Sequence, residues 1–264
     1  QPGITLDKFR RHLQAGAFPF AHRPDQPTLE LLDILRKENC RWVFPPDPTE
    51  PSAQLGGMAA SNASGARTFH FGPMRSHIRG LRVVLTNGLV LEVPRSSHVV
   101  SPGQLVQSAF EGTVLYQFTS PDYRIPTTKH AAGFFSSPTL DLIDLFIGSE
   151  GTLGVITAID VALTRVRGLE AELAAFLPSL HSVCRLVEIA RQARQATDFT
   201  VEAIEYLCNR SLTMITRSGK PRFRQLPGNR PHGVFLGIRI HGEIAGALKT
   251  LEQWLIDSGG HLDK

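Results

Sequence analysis

The residues of this chain best suited to chemistry lie in Pro45–Gly65, PPDPTEPSAQLGGMAASNASG, where almost nothing is large. Pro45, Pro46, Pro48 and Pro51 fix φ and withhold backbone donors, so the first half can be neither a helix interior nor a central strand. The second half is glycine, alanine, serine and asparagine around Gly56, Gly57 and Gly65. Residues this small let main chain approach a ligand and aim its N–H groups at it. The plain alternative is a long surface loop; loops of this length are uncommon in compact domains and are often functional. A second turn, Ile147-Gly148-Ser149-Glu150-Gly151-Thr152-Leu153-Gly154, sets three glycines at spacing three. Alone, such a segment is more often a turn than a nucleotide site.

His130, in Thr128-Lys129-His130-Ala131-Ala132-Gly133-Phe134, has two readings: a hydrogen-bonded structural imidazole, or a group beside a bound cofactor. His70 and His77 stand seven apart without a second pair at ligand spacing, so no metal site is expected. Glu150 reads as a carboxylate accepting from local N–H groups. There is no G-x-G-x-x-G after a strand, no Walker loop and no G-x-S-x-G elbow, which removes the Rossmann, P-loop and common hydrolase sites.

The bulk composition is that of a globular protein, with 264 residues, 42% hydrophobic and 20% charged. The net charge of +4 comes from dispersed basic residues, without the basic stripe and interleaved aromatics that nucleic acid requires. A mild positive balance suits anionic ligands. Cys40, Cys184 and Cys208 are far apart, and are expected to be buried, reduced thiols of a cytoplasmic protein. No apolar run reaches membrane-spanning length and no signal peptide is evident. The start at Gln1, inside a structural segment, suggests a fragment.

The elements that must hold these turns follow from periodicity. Leu6, Phe9 and Leu13 predict a helix after Thr5, and Thr28 is expected to cap a second helix over Leu29–Asn39, with Leu31, Leu32, Ile34 and Leu35 facing a core. Arg41–Phe44 reads as a strand entering the small-residue stretch. Leu81-Val83-Leu85 and Leu89-Leu91-Val93 flank Asn87-Gly88, a strong hairpin signal. Ser96–Lys129 reads as irregular, with Gly103–Phe110 as its one helical segment. Asp141–Phe146 reads as a short helix and Val155–Leu163 as a strand. Beyond Gly168, strands over Ala171–Phe176, Phe199–Ile204 and Val234–His241 alternate with helices over Ser182–Ala196, Glu205–Thr216 and Glu243–Asp257. A basic loop is expected over Pro221–Pro231. This alternation points to helices laid over one sheet, in an α/β or α+β arrangement.

Three stretches in order, PPDPTEPSAQLGGMAASNASG, FGPMRSHIRGLRVVLTNGLVLEV and DLIDLFIGSEGTLGVIT, resemble the PCMH-type FAD-binding domain of the vanillyl-alcohol-oxidase family. The nearest branch resembled is the D-lactate dehydrogenase and glycolate oxidase subunit group of FAD-linked oxidases. The match is strongest over residues 43–163. It implies an α+β fold: residues 1–165 as the second half of the FAD-binding domain, lacking its first phosphate loop, and 166–264 as part of a ferredoxin-like α+β substrate-binding cap.

The resemblance also implies roles. Pro46, Asp47, Pro48 and Ser52 would border the flavin and its diphosphate, and Gly56 and Gly57 would let main chain contact the cofactor. Ser61, Asn62, Ala63, Ser64 and Gly65 would line the FAD, with Ser61 and Ser64 as hydroxyl donors. Glu150, Gly151, Thr152, Leu153, Gly154, Val155 and Ile156 would hold the nucleotide from the other side. A nest of N–H groups and hydroxyls can solvate a diphosphate without lysines. The implied reaction is oxidation of a small 2-hydroxy acid of the D-lactate, glycolate or 2-hydroxyglutarate kind by hydride transfer to flavin N5. His130 is the candidate proton-transfer residue, and Arg75 or Arg79 could face an anion or a phosphate. A homodimer without nucleic-acid partners is expected. The alternatives are a non-catalytic nucleotide-binding fragment and an alkyl-dihydroxyacetone-phosphate-synthase-like flavoenzyme.

Overall fold

The computed structural model describes residues 1–19, 23–37, 41–110, 113–128, 130–193, 196–217 and 232–260. They form two compact units, one of Gln1–Gly65 with Gly72–Val166, the other of Ala66–Phe71 with Arg167–Lys264.

In the first unit, α1 (Leu6–Ala15) buries Leu6 and Leu13 and stops at Gly16 in the left-handed conformation. Thr5 stands at its N-cap without a capping bond; its hydroxyl instead donates to the Asp7 carboxylate at 2.5 Å. The second helix, α2 (Gln26–Lys37), begins earlier than expected because Asp25, not Thr28, caps it: the Asp25 carboxylate accepts the Thr28 N–H at 3.0 Å. Only Leu32 of α2 is buried, while Leu31 and Ile34 are exposed, which corrects the expectation that four residues of this helix face a core.

Strand β1 (Arg41–Val43) delivers the chain into the proline-rich segment. The small-residue half is not all loop. It contains α3 (Leu55–Ala60), whose Leu55, Met58 and Ala59 are buried. The segment before α1 pairs with the approach to α3: Leu6 N donates to Ala53 O at 2.9 Å and Gly56 N to Pro2 O at 2.8 Å.

The Asn-Gly hairpin forms as its turn chemistry demands, between β2 (Ile78–Val84) and β3 (Val90–Pro94), with Leu81 opposite Val93 and Val83 opposite Leu91. In the other direction β2 pairs antiparallel with β8 (Val155–Val161), giving the order β3-β2-β8. One face of β2 is buried at Ile78, Leu81 and Val83. It covers a core shared with Leu6, Phe44, Met58, Met74, Ile143 and Phe146.

Smaller pairings complete the unit: β4 (Val99–Val100) with β7 (Leu140–Asp141), followed by the short α5 (Ile143–Phe146), and β1 with β9 (Thr164–Val166). Gly103–Phe110 corrects a helical expectation. Its apolar half is β5 (Leu105–Phe110), which forms a hairpin with β6 (Thr113–Thr119).

The second unit has a three-stranded antiparallel sheet in the order β10 (Leu169–Leu177), β12 (His232–Ile240), β11 (Phe199–Cys208). Helices α6 (Leu180–Gln192), α7 (Asn209–Arg217) and α8 (Ile244–Asp257) connect or follow its strands. Its core holds Leu186, Phe199, Ile238 and Trp254, with Phe69 of α4 (Thr68–Phe71) packed against it. The helix expected from Glu205 starts at Asn209, because β11 keeps its ladder with β12 as far as Cys208. Cys184 is exposed and Cys208 half-buried, so the expectation of buried thiols fails for both. Cys40 and Pro221–Pro231 lie outside the described residues. The α+β class holds.

Candidate functional site

The two small-residue turns of the first unit meet. Gly148 N donates to Ala59 O at 3.0 Å and Glu150 N to Ala60 O at 2.9 Å, so the 148–150 turn is bonded to the C-terminal end of α3. Asn62 (φ 46°) and Glu150 (φ 53°) both adopt the left-handed conformation that side-chain-bearing residues seldom take. Such residues turn neighbouring N–H groups toward a common side, the geometry of anion-binding nests. Ser64, Gly151 and Leu153 sit in these turns, and their N–H groups donate to no carbonyl among the described residues. A Cβ placed on Gly57 or Gly151 would meet only open space. These observations fit a cradle for an anionic group reached by main chain.

Other expected residues serve the cradle from behind. A Cβ on Gly65 would stand 1.6 Å from the carbonyl oxygen of Asp47, so only glycine allows the small-residue stretch to fold back on the Pro46-Asp47-Pro48 turn. Asp47 is held by Arg10, which donates to its carboxylate and to Pro46 O, both at 2.9 Å. Gly56 lies against Pro2, with its N–H committed there. Ser61 donates its hydroxyl to Gly57 O at 2.9 Å and Thr152 to Ser149 O at 2.6 Å, so both are used within their own turns. Ser52 is exposed in a local turn where its N–H meets the Glu50 carboxylate. Ala63 bonds both ways, its N–H to Met58 O and its carbonyl to the Met74 N–H. Gly154 leads into β8, where Val155 and Ile156 pair with Val84 and Val83.

The gathered set is therefore Ala60, Ser61, Asn62, Ala63, Ser64 and Gly65 with Gly148, Glu150 and Gly151. Of the expected residues only Leu153 also lines a cavity of about 450 Å³, walled by Leu85, Leu91, Phe118 and Phe146. His130 encloses its Nδ1 without a hydrogen-bond partner among the described residues.

Sequence reasoning missed the charged network beneath the turns. Arg75 does not face outward. Its guanidinium donates to the carbonyl of Asp144 at 2.6 Å, to the Asp144 carboxylate at 2.8 Å and to the carbonyl of Ile147, and it lies 4.3 Å from the Phe135 ring centroid. Arg95 donates to the same Asp144 oxygen at 2.8 Å and to Arg75 O at 3.1 Å. Asp141 takes the Ser96 N–H at 2.5 Å. Burial draws the Arg75 guanidinium below its ordinary value, against the opposing pull of Asp144. Arg79, the other arginine considered, is exposed, and among the described residues its guanidinium reaches only Ser76 O at 3.3 Å. The Pro73-Met74-Arg75 segment after the first turn carried no periodic signal, since the acceptors of the Arg75 guanidinium, Asp144 and Ile147, lie 69 and 72 residues away.

The profile of the FAD binding domain matches residues 30–94. The chain is 32% identical over 190 residues to the probable mitochondrial D-lactate dehydrogenase of Danio rerio, covering 69% of this chain and 30% of that protein. It is 36% identical over 110 residues to the mitochondrial D-2-hydroxyglutarate dehydrogenase of Bos taurus, covering 42% of this chain and 14% of that protein. The chain thus spans less than a third of the length of these relatives. A solved structure of alkyldihydroxyacetonephosphate synthase has a similar fold, with a TM-score of 0.53 and 13% identity over 89% of this chain and 38% of that one. Among the described residues no helix is long and apolar enough to cross a membrane. With FAD as the group for which the matched domain is named, residues 30–94 are similar to a PCMH-type FAD-binding domain, and longer stretches of the chain are similar to FAD-linked hydroxy-acid dehydrogenases.

Proposed function

We propose that this chain works in the FAD-dependent oxidation of a small 2-hydroxy acid, and that its two bonded turns hold part of the cofactor. The observation carrying this reading is the pair of hydrogen bonds from Gly148 and Glu150 to Ala59 and Ala60. Two segments almost ninety residues apart are thereby fixed as one surface of N–H groups that find no carbonyl among the described residues. The Ser64, Gly151 and Leu153 N–H groups would face the diphosphate. Gly57 and Gly151 would leave room for it, while Asn62 and Glu150 set the direction of the donors. FAD bound there supplies the acceptor for a hydride equivalent from the substrate's C–H bond. His130, whose enclosed Nδ1 has no hydrogen-bond partner among the described residues, is the residue proposed to take the hydroxyl proton.

The choice among lactate-, glycolate- and hydroxyglutarate-like acids belongs to the same proposal. Relatives named for all three kinds carry the similarity. The test is titration of FAD with the purified chain, followed by flavin fluorescence. Saturable quenching is expected. No change up to about 100 μM protein, an affinity weaker than about 5 kcal/mol, would overturn the reading. Anaerobic bleaching of the bound flavin by D-lactate, glycolate or D-2-hydroxyglutarate then selects the substrate.

A further inference from the structure

Arg75 is hydrogen-bonded to both turns. Its N–H donates to the Asn62 side-chain oxygen at 2.9 Å, fastening the first turn at its left-handed residue. Its guanidinium takes the Ile147 carbonyl, the last before Gly148, and both the carbonyl and the carboxylate of Asp144. The guanidinium is a planar fork, so several acceptors held together fix orientation as well as position. The side chain is largely buried, and Asp144, 6% exposed, supplies the compensating charge. Arg95 shares Asp144 but reaches neither Asn62 nor Ile147; it buttresses Arg75 through the Arg75 carbonyl.

We infer that Arg75 is a positioning residue that sets the spacing of the two small-residue turns, and through it the affinity for the diphosphate of a dinucleotide. It makes no contact with the ligand itself. Its charge acts inward on Asp144 and on main-chain carbonyls, leaving the outward N–H groups as the anion donors. The affinity part of this inference rests on the FAD reading above; the spacing part does not.

The experiment compares Arg75→Lys, Arg75→Met and, as a remote control, Arg82→Gln, in the whole chain. Amide hydrogen exchange without ligand is read over residues 60–65 and 147–154, with the second unit as internal reference. In the same preparations, FAD and ADP affinities are read by fluorescence and calorimetry. Arg75→Met is expected to speed exchange in both turns by about tenfold or more while the second unit is unchanged, as a local opening would. FAD and ADP affinities should fall together by about tenfold or more, the loss of a charge-assisted hydrogen bond. Arg75→Lys should be intermediate, because one ammonium cannot hold all of these acceptors at once.

Unchanged exchange in both turns in either Arg75 variant overturns the clamp, and Lys keeps the test open if Met fails to fold. Faster exchange with unchanged nucleotide affinity overturns its role in binding. A wild-type chain that binds neither nucleotide overturns the FAD reading and the affinity role together, and the exchange data then decide the spacing role alone.

Discussion

In the first unit Arg75 and Arg95 converge on Asp144, with Asp141 3.9 Å from Arg95. In the second, Arg67 and Arg239 converge on Glu202, with Glu170 completing the group. The inventory is the same, two arginines and two carboxylates, but the bonds run differently. The first network spends most of its donors on main-chain carbonyls of Asp144, Ile147, Ile78 and Arg75. The second runs from side chain to side chain across the sheet. Glu170 and Arg239 are directly opposite on β10 and β12. Glu202 sits in a β-bulge, which skips it between Val201 and Ala203. The bulge re-aims its carboxylate so that Arg239 can grip both oxygens, the Oε2 bond measuring 3.0 Å. Buried charge can thus shape a turn or fix a sheet register, depending on whether carbonyls or carboxylates answer it.

The contrast breaks most easily at Arg239. Arg239→Met would leave Glu202, 3% exposed, deprived of its forked partner. A loss of about 3–5 kcal/mol is expected in denaturant unfolding followed through Trp254. The double variant Arg239→Met, Glu202→Leu should recover most of that. A single-variant cost below about 1 kcal/mol would mean that water reaches Glu202 and that the pair does not hold the register.

Next is Gly65→Ala, which drives a methyl into the Asp47 carbonyl and should cost about 1–3 kcal/mol through displaced main chain. Flavin quenching should weaken with it, while the second unit melts as before. Full retention of flavin binding would show that the Pro46–Pro48 turn need not lie against the small-residue stretch.

Asn62→Ala should cost about 1–2 kcal/mol, from left-handed backbone strain together with the lost acceptor for Arg75 N–H. Asn62→Gly should restore the backbone part only. Equal stability of the Ala and Gly variants would remove strain from the account.

The smallest effect is at an exposed pair. Asp7 is held below the usual carboxylate value chiefly by the Thr5 hydroxyl, with Arg11 adding to it. Its folded value lies below its unfolded one, so its contribution is present above pH 3.8 and fades as pH falls through the folded value. Asp7→Asn should flatten this slight acid loss in the circular dichroism of α1. A variant that still loses the same helicity on acidification would assign the effect to another group.

How much of this was legible in the sequence depended on the range of the deciding contact. Asn87-Gly88 encodes its hairpin locally, and the small residues of 55–65 and 148–154 announce close main-chain approach. Leu105–Phe110 was misread because a short apolar run fits a helix as well as a strand, and its β6 partner decides the matter. Leu31 and Ile34 carry helical spacing and still stay exposed, since hydrophobicity fixes a helix without supplying a neighbour. Arg75 was beyond reach because Asp144 and Ile147 are distant in sequence and two of its acceptors are carbonyls, which every residue has.

The six residues Ala66–Phe71 belong with a sheet whose first strand begins at Leu169. During synthesis Arg67 and Phe69 leave the ribosome about a hundred residues ahead of the strands that receive them. Closing that long loop is an entropic delay for the second unit. Expressing 167–264 alone would omit both Phe69 from its hydrophobic interior and a cation beside Glu170. A soluble stand-alone version should therefore be sought by grafting 66–71 back through a linker.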